Sequence, residues 1–225
     1  MKGRELAQGG MNRRMTCAAI GVFVFAMAAV GCARLPYTTQ TIHEDQRVVV
    51  TLQREIDAPA YTHPVQISDQ DLSAILRGFS LRKQQRLPLR WFAEEVPPTP
   101  LFREDELAVL AGPLAKGLRK AGPNERVHFE LRAPGNNPHD EWDTTAGWIA
   151  VREPSLRLEV DYHHVQTPRQ KSSPYDYNYP TPPPTKSEYL LYFEPGRFWG
   201  TAPGFEKPVL QYRDFLRSAP IVPMK

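Results

Sequence analysis

The spacing of apolar positions changes several times along this chain, and each change marks an element. Residues 47–52 (Arg47-Val48-Val49-Val50-Thr51-Leu52) are β-branched and apolar, which predicts a buried strand. Leu72, Ile75, Leu76 and Phe79 then recur at helical spacing. Ser68 and Asp71 form a capping-box pattern ahead of them, with Ile67 and Leu72 at the staple positions, so a helix is expected to start at Ser68. Val96-Pro97-Pro98-Thr99-Pro100 breaks the chain in extended form. A second helical stripe (Leu107, Leu110, Ala111, Leu114, Leu118, Ala121) predicts a helix from about Glu104 to Ala121. Acidic residues open it and Lys116, Arg119 and Lys120 close it, which suits the helix dipole. Gly122-Pro123 stops it, and Pro113 inside it predicts a kink or a division.

Beyond Pro123 the period falls to two. Val127, Phe129 and Leu131 alternate with His128, Glu130 and Arg132. Leu156, Leu158, Val160 and Tyr162 alternate with Arg157, Glu159, Asp161 and His163, after a turn at Glu153-Pro154-Ser155. Residues 148–151 and 189–193 read as further strands, and Tyr212, Phe215 and Leu216 as a short last helix. Clean alternation implies one buried and one solvated face. The expected fold is therefore α+β, an antiparallel sheet of about four to six strands with two or three helices on one face. The Pro/Tyr-rich stretch 168–186 lies between two strands. Its prolines favour polyproline II, so it is expected to leave the sheet as a long, stiff loop.

The amino terminus has a different pattern. Arg13-Arg14 precedes a run of 13 apolar or small residues, 18–30, too short to cross a bilayer as a helix of about 20 residues. Small residues then surround a cysteine. Charge, apolar run and small residues in that order are the pattern of a secretory signal. Met11 begins a compact signal by itself, so residues 1–10 read as an extension ahead of the start. Ala29-Val30-Gly31-Cys32 resembles the lipobox of bacterial lipoproteins, with Ala29 where Leu is usual. The resemblance covers only residues 11–33 or so. It implies cleavage before Cys32, a diacylglycerol on its sulfur and a further acyl chain on its nitrogen. Two or more chains give stable anchoring, since each buried CH₂ contributes about 0.8 kcal/mol. Ala33, rather than Asp, after the cysteine implies an outer-membrane address facing the periplasm. On this reading residues 1–31 are the signal peptide, 32–46 a polar tether and 47–225 one globular domain.

Composition then changes the picture. Cleavage would leave 194 of the 225 residues, enough for one core. The precursor carries +3, but four of its 28 basic residues and one of its 25 acidic residues precede Cys32, so the remainder is formally neutral. Nucleic-acid binding needs a net basic footprint, and no such partner is expected. Cys17 and Cys32 are the two cysteines, the first in the signal and the second acylated on this reading, which leaves no thiol for catalysis, disulfides or thiolate metal sites. All 23 prolines follow residue 31, over twice the ordinary share of about 5%.

Candidate chemistry is sparse. His128, Asp161 and His163 share the solvated face by alternation and are the weak candidates for a metal; a charged sheet surface accounts for them without one. The cluster His139–Asp143 lacks the spacing of a calcium loop and reads as a polar turn, as does His43-Glu44-Asp45. Arg82, Lys83, Arg86 and Arg90 read as a solvated helix end. No Gly-x-Ser-x-Gly, phosphate-loop or dinucleotide fingerprint occurs after residue 31, so neither cofactor nor catalytic residue is assigned. Tyr175, Tyr177 and Tyr179, held by prolines, are the candidate partner-binding residues, offering contact area at low entropic cost to an envelope protein or glycan. The functional expectation is a membrane-anchored accessory or interaction subunit. The alternatives are a periplasmic hydrolase of cell-wall glycan or peptide, using carboxylates such as Glu194 or Asp161, and a metal or small-ligand carrier.

Overall fold

Val50, Phe129 and Gly147 lie side by side on three neighbouring strands, and this row runs through the middle of the fold. The computed structural model describes residues 36–55, 60–83, 97–169, 189–202 and 207–218. Cys32, the lipobox residues Ala29, Val30 and Gly31, and the tyrosines 175, 177 and 179 lie outside them.

In chain order the strands are β1 (Tyr37–Glu44), β2 (Val48–Arg54), β3 (Phe79–Lys83), β4 (Thr99–Pro100), β5 (Glu125–Pro134), β6 (Glu141–Arg152), β7 (Ser155–Pro168), β8 (Tyr189–Phe193), β9 (Trp199–Gly200) and β10 (Val209–Leu210). The helices are α1 (Asp69–Arg77), α2 (Glu104–Lys120) and α3 (Tyr212–Ser218). The fold is α+β with antiparallel pairing throughout the described residues. The strands form a seven-stranded sheet in the order β1-β2-β5-β6-β7-β10-β9 and a three-stranded sheet in the order β4-β3-β8. That exceeds the four to six strands expected. Short edge strands carry too few residues to show a period, and β6 is buried on both sides from Thr144 to Val151, so its apolar pattern does not alternate.

The core forms where α2 lies on β2 and β5. Val48, Val50, Leu52, Val127, Phe129, Leu131, Leu110, Leu114 and Leu118 are all buried in one cluster. Gly117 permits the close approach, since a Cβ there would meet Val127 Cγ1 at 2.5 Å. Pro113 neither divides nor ends α2, which runs from Glu104 to Lys120. The proline forfeits one backbone bond on a partly exposed side of the helix, and packing on either side holds the rest. Arg103 stands at the N-cap position and Glu106 reaches back to it, Oε2 accepting its amide at 2.8 Å and Oε1 its guanidinium at 2.7 Å. Ser68 caps α1 as its position implies, with Oγ accepting the Asp71 amide at 3.0 Å.

Four expectations are corrected. Phe79 is buried, but as the first residue of β3 rather than the last of a helix. Gly78 ends the helix where β8 crowds it, since a Cβ there would meet the Phe193 ring at 2.5 Å. Arg82 and Lys83 accordingly stand on a strand and not at a helix end. Residues 37–44, expected within a tether of 32–46, are strand β1 on the edge of the larger sheet. Their side chains are mostly polar because one edge of the strand and much of both faces meet water, which hides the strand from a hydrophobic reading. Finally, the stretch 168–186 does not leave one sheet to rejoin it: β7 belongs to the larger sheet and β8 to the smaller. Residues 170–188 lie outside the described residues.

Candidate functional site

Alternation along β5 and β6 sends Arg126, His128, Trp148 and Ala150 to the face turned away from α2. On that face Trp148 is held between two guanidiniums, Arg126 at 4.7 Å and Arg157 at 4.8 Å from the ring centre. Guanidiniums stack on indole because the ring face is electron-rich and the planar cation is weakly hydrated. Each arginine is fixed in turn. Arg126 donates to Gln53 Oε1 at 3.1 and 3.0 Å and to Glu55 Oε1 at 2.8 Å. Arg157 pairs with Glu159, which also accepts from Lys207 Nζ at 2.9 Å. Tyr61 packs with Trp148 and Ala150 and donates to Glu55 Oε2 at 2.5 Å.

This layer of charges is closed on itself. Burial alone would raise Glu159, but the hydrogen bonds and charges of Lys207 and Arg157 outweigh it and hold the carboxyl below its usual range. Burial and the adjacent Glu55 push the Tyr61 phenol up. Trp148 is 5% exposed, with both ring faces occupied. The arrangement is a rigid, preorganised network in which the carboxylates are ion-paired and the phenol is held neutral.

His128 and Asp161 come together beside this stack, with Nε2 and Oδ2 at 3.8 Å. Burial and the Arg126 charge push His128 down to about 3, so it is neutral. Burial raises Asp161, with Glu159 adding to it and Arg126 opposing. His163, the third member of the expected metal set, does not join them. The register of β7 against β6 slips twice, once between the pairs Ala146–Tyr162 and Gly147–Val160 and once between Thr144–Val165 and Ala146–Tyr162. Each slip adds a residue to β7, and a bulge reverses the faces that follow. Tyr162 therefore pairs with Ala146 on the Trp148 side, not in the core with Val160. His163 turns the other way, with Nε2 3.3 Å from the Leu101 carbonyl. His164 takes up the second slip with φ of 51° and places Nδ1 2.9 Å from Asp143 Oδ2. Among the described residues no three His, Cys, Asp or Glu side chains converge as metal ligands do.

Of the carboxylates named for a hydrolase, Asp161 stands on the larger sheet and Glu194 follows β8 of the smaller. In the 139–143 cluster, Asp140 accepts from Asn137 Nδ2 at 2.7 Å in a turn, and Glu141 onward is strand β6. His43 Nε2 lies 2.8 Å from Asp45 Oδ2 at the β1–β2 turn. The sequence reading placed Trp148 on a strand but gave Trp148, Arg126 and Arg157 no part. Their residue types are ordinary on a sheet, and only the three-strand register stacks them. No helix of the described residues is long and apolar enough to cross a membrane.

No protein family, curated protein or solved structure matches this chain. The functional reading rests on its own residues.

Proposed function

We propose that this chain is a lipid-anchored lipoprotein of the bacterial envelope, acting as an accessory or interaction subunit at a membrane surface. The observation that carries the reading is Ala29-Val30-Gly31-Cys32 at the end of an apolar run over 18–30 that follows two arginines. Its address is the periplasmic side of the outer membrane, since Ala33 follows the cysteine. Tyr175, Tyr177 and Tyr179, set among prolines, are the residues offered to an envelope protein or glycan.

The test is the mass of the amino-terminal peptide from protein purified out of a membrane fraction. Acylated Cys32 at the new terminus is the expected result, and Cys32→Ser should release the chain into the soluble fraction. An intact terminus, or an unmodified Cys32 in soluble material, would sink the reading. Crosslinking in intact cells from a probe at Tyr177 should trap a partner.

A further inference from the structure

We infer that the domain stands on its membrane by one end, with a basic surface at the start of β1 docked on anionic phospholipid headgroups. The inference rests on acylation of Cys32 as proposed above. Two observations on independent grounds point to the same end.

The first is the length of the leash. Because β1 begins at Tyr37, only Ala33-Arg34-Leu35-Pro36 separates it from Cys32. Five residue steps span at most about 17 Å, and Pro36 stiffens the last of them. The seven steps of β1 from Tyr37 then rise roughly another 23 Å to Glu44. The leash is shorter than the strand it feeds, so the Tyr37 end is held near the headgroups whatever the tilt, whereas the Glu44 end has room to stand away from them.

The second is the distribution of charge. The Tyr37 end is built by the register Tyr37–Arg54–Glu125 across β1, β2 and β5, by the last turn of α2, and by the β6–β7 turn. Backbone bonds join these pieces, from the Glu55 amide to the Asn124 carbonyl at 3.0 Å and from the Tyr61 amide to the Pro123 carbonyl at 2.7 Å. Arg54, Lys116 and Lys120 are exposed there. The acids of this end are engaged from within: Glu55 by Arg126 and Tyr61, Glu125 by the Thr39 hydroxyl and the Gly122 amide, Glu153 by Arg213 and Tyr212. At the opposite end Glu44, Asp45, Glu104, Asp105 and Asp140 are exposed around the β1–β2 and β5–β6 turns and the start of α2, and they outnumber the exposed Arg47, Arg77 and Arg103, of which Arg47 pairs with Asp105 and Arg77 with Glu104. The part of the chain that would follow cleavage is formally neutral but polarised along its strands, and its basic end is the one that β1 enters from Cys32. An anionic surface attracts basic groups within a Debye length, about 8 Å at physiological salt. The leash holds the basic end within a few such lengths, while the acidic end is repelled.

The polarity can be read with the full lipidated protein, because after signal cleavage it holds no cysteine besides Cys32. Asn124→Cys at the basic end and His139→Cys at the acidic end each receive a fluorescent donor. The proteins are reconstituted in vesicles of phosphatidylethanolamine and phosphatidylglycerol that carry a headgroup acceptor, or in phosphatidylcholine vesicles with the same acceptor. In the anionic vesicles energy transfer should be strong from position 124 and weak from 139. The contrast should fall by roughly half or more in phosphatidylcholine or at 1 M salt, where screening acts within about 3 Å. Arg54→Glu with Lys116→Glu and Lys120→Glu should abolish the dependence on headgroup charge while the protein stays vesicle-bound. Equal transfer from both positions, or a contrast indifferent to charge and salt in protein shown by mass to be acylated, overturns the docking alone. Protein that carries no acyl chain and does not bind vesicles overturns the anchor reading and, with it, the leash on which docking depends.

Discussion

The imidazole of His63 accepts the Val151 amide on Nε2 at 2.9 Å. That amide can only donate, so Nε2 carries no hydrogen and Nδ1 must hold the ring proton. Nδ1 in turn donates to the Glu125 carbonyl at 2.9 Å. One neutral ring thereby ties the end of β6 to the start of β5, and burial pushes its pKa down to about 4.

The first prediction concerns acid stability. In the unfolded chain His63 takes up a proton near its ordinary 6.5, and in the fold only near 4, so the unfolded state binds more protons between those values. Stability should fall as pH drops from 6.5 towards 4, with His63 contributing roughly 3 kcal/mol over the window at 1.36 kcal/mol per pH unit. His63→Phe should cost about 1–3 kcal/mol at neutral pH by stranding the buried amide. The gap between wild type and variant should narrow through the same window. Urea unfolding at several pH values measures both.

The cation–aromatic stack should couple its members. Trp148→Leu and Arg157→Met, made singly and together, should show a coupling of about 0.5–2 kcal/mol in denaturant unfolding. Purely additive effects would mean that the ring and the guanidinium only happen to be adjacent.

Gly147 sits where β7 bulges. A Cβ there would collide with the Glu159 carbonyl oxygen and meet Phe129 Cζ at 3.1 Å. Neither the strand backbone nor a buried ring yields readily, so Gly147→Ala should destabilise by about 1–3 kcal/mol. Gly200→Ala, with nothing within 4 Å, should stay within about 0.5 kcal/mol. Thermal melts of the two proteins provide the comparison.

Ser68→Ala should cost about 1 kcal/mol, because its hydroxyl satisfies the free Asp71 amide in the first turn of α1. Ser68→Asp should recover most of that loss. An unchanged melting temperature for Ser68→Ala would show that the cap does not contribute.

Much of this architecture follows from local rules that the chain obeys by itself. The Ser68 cap, the stripe from Leu107 to Leu118 and the alternation through Val127, Phe129 and Leu131 each need only a few neighbouring residues to be read, and each formed where the pattern put it. The signal-like segment and its cysteine are likewise a local pattern, and the proposed anchor comes from them alone. Tertiary structure decided what local rules cannot carry. Strand β1 is polar and becomes a strand only because β2 offers an edge. One bulge in β7, opposite Ala146 and Gly147, sends His163 away from His128 and turns Tyr162 to the Trp148 side of the sheet. Arg126, Trp148 and Arg157 are separated in the chain and meet only because β5, β6 and β7 align in register. A period of two fixes which face a side chain takes only while every residue is paired, and one unpaired residue, invisible in the pattern, reverses all that follow.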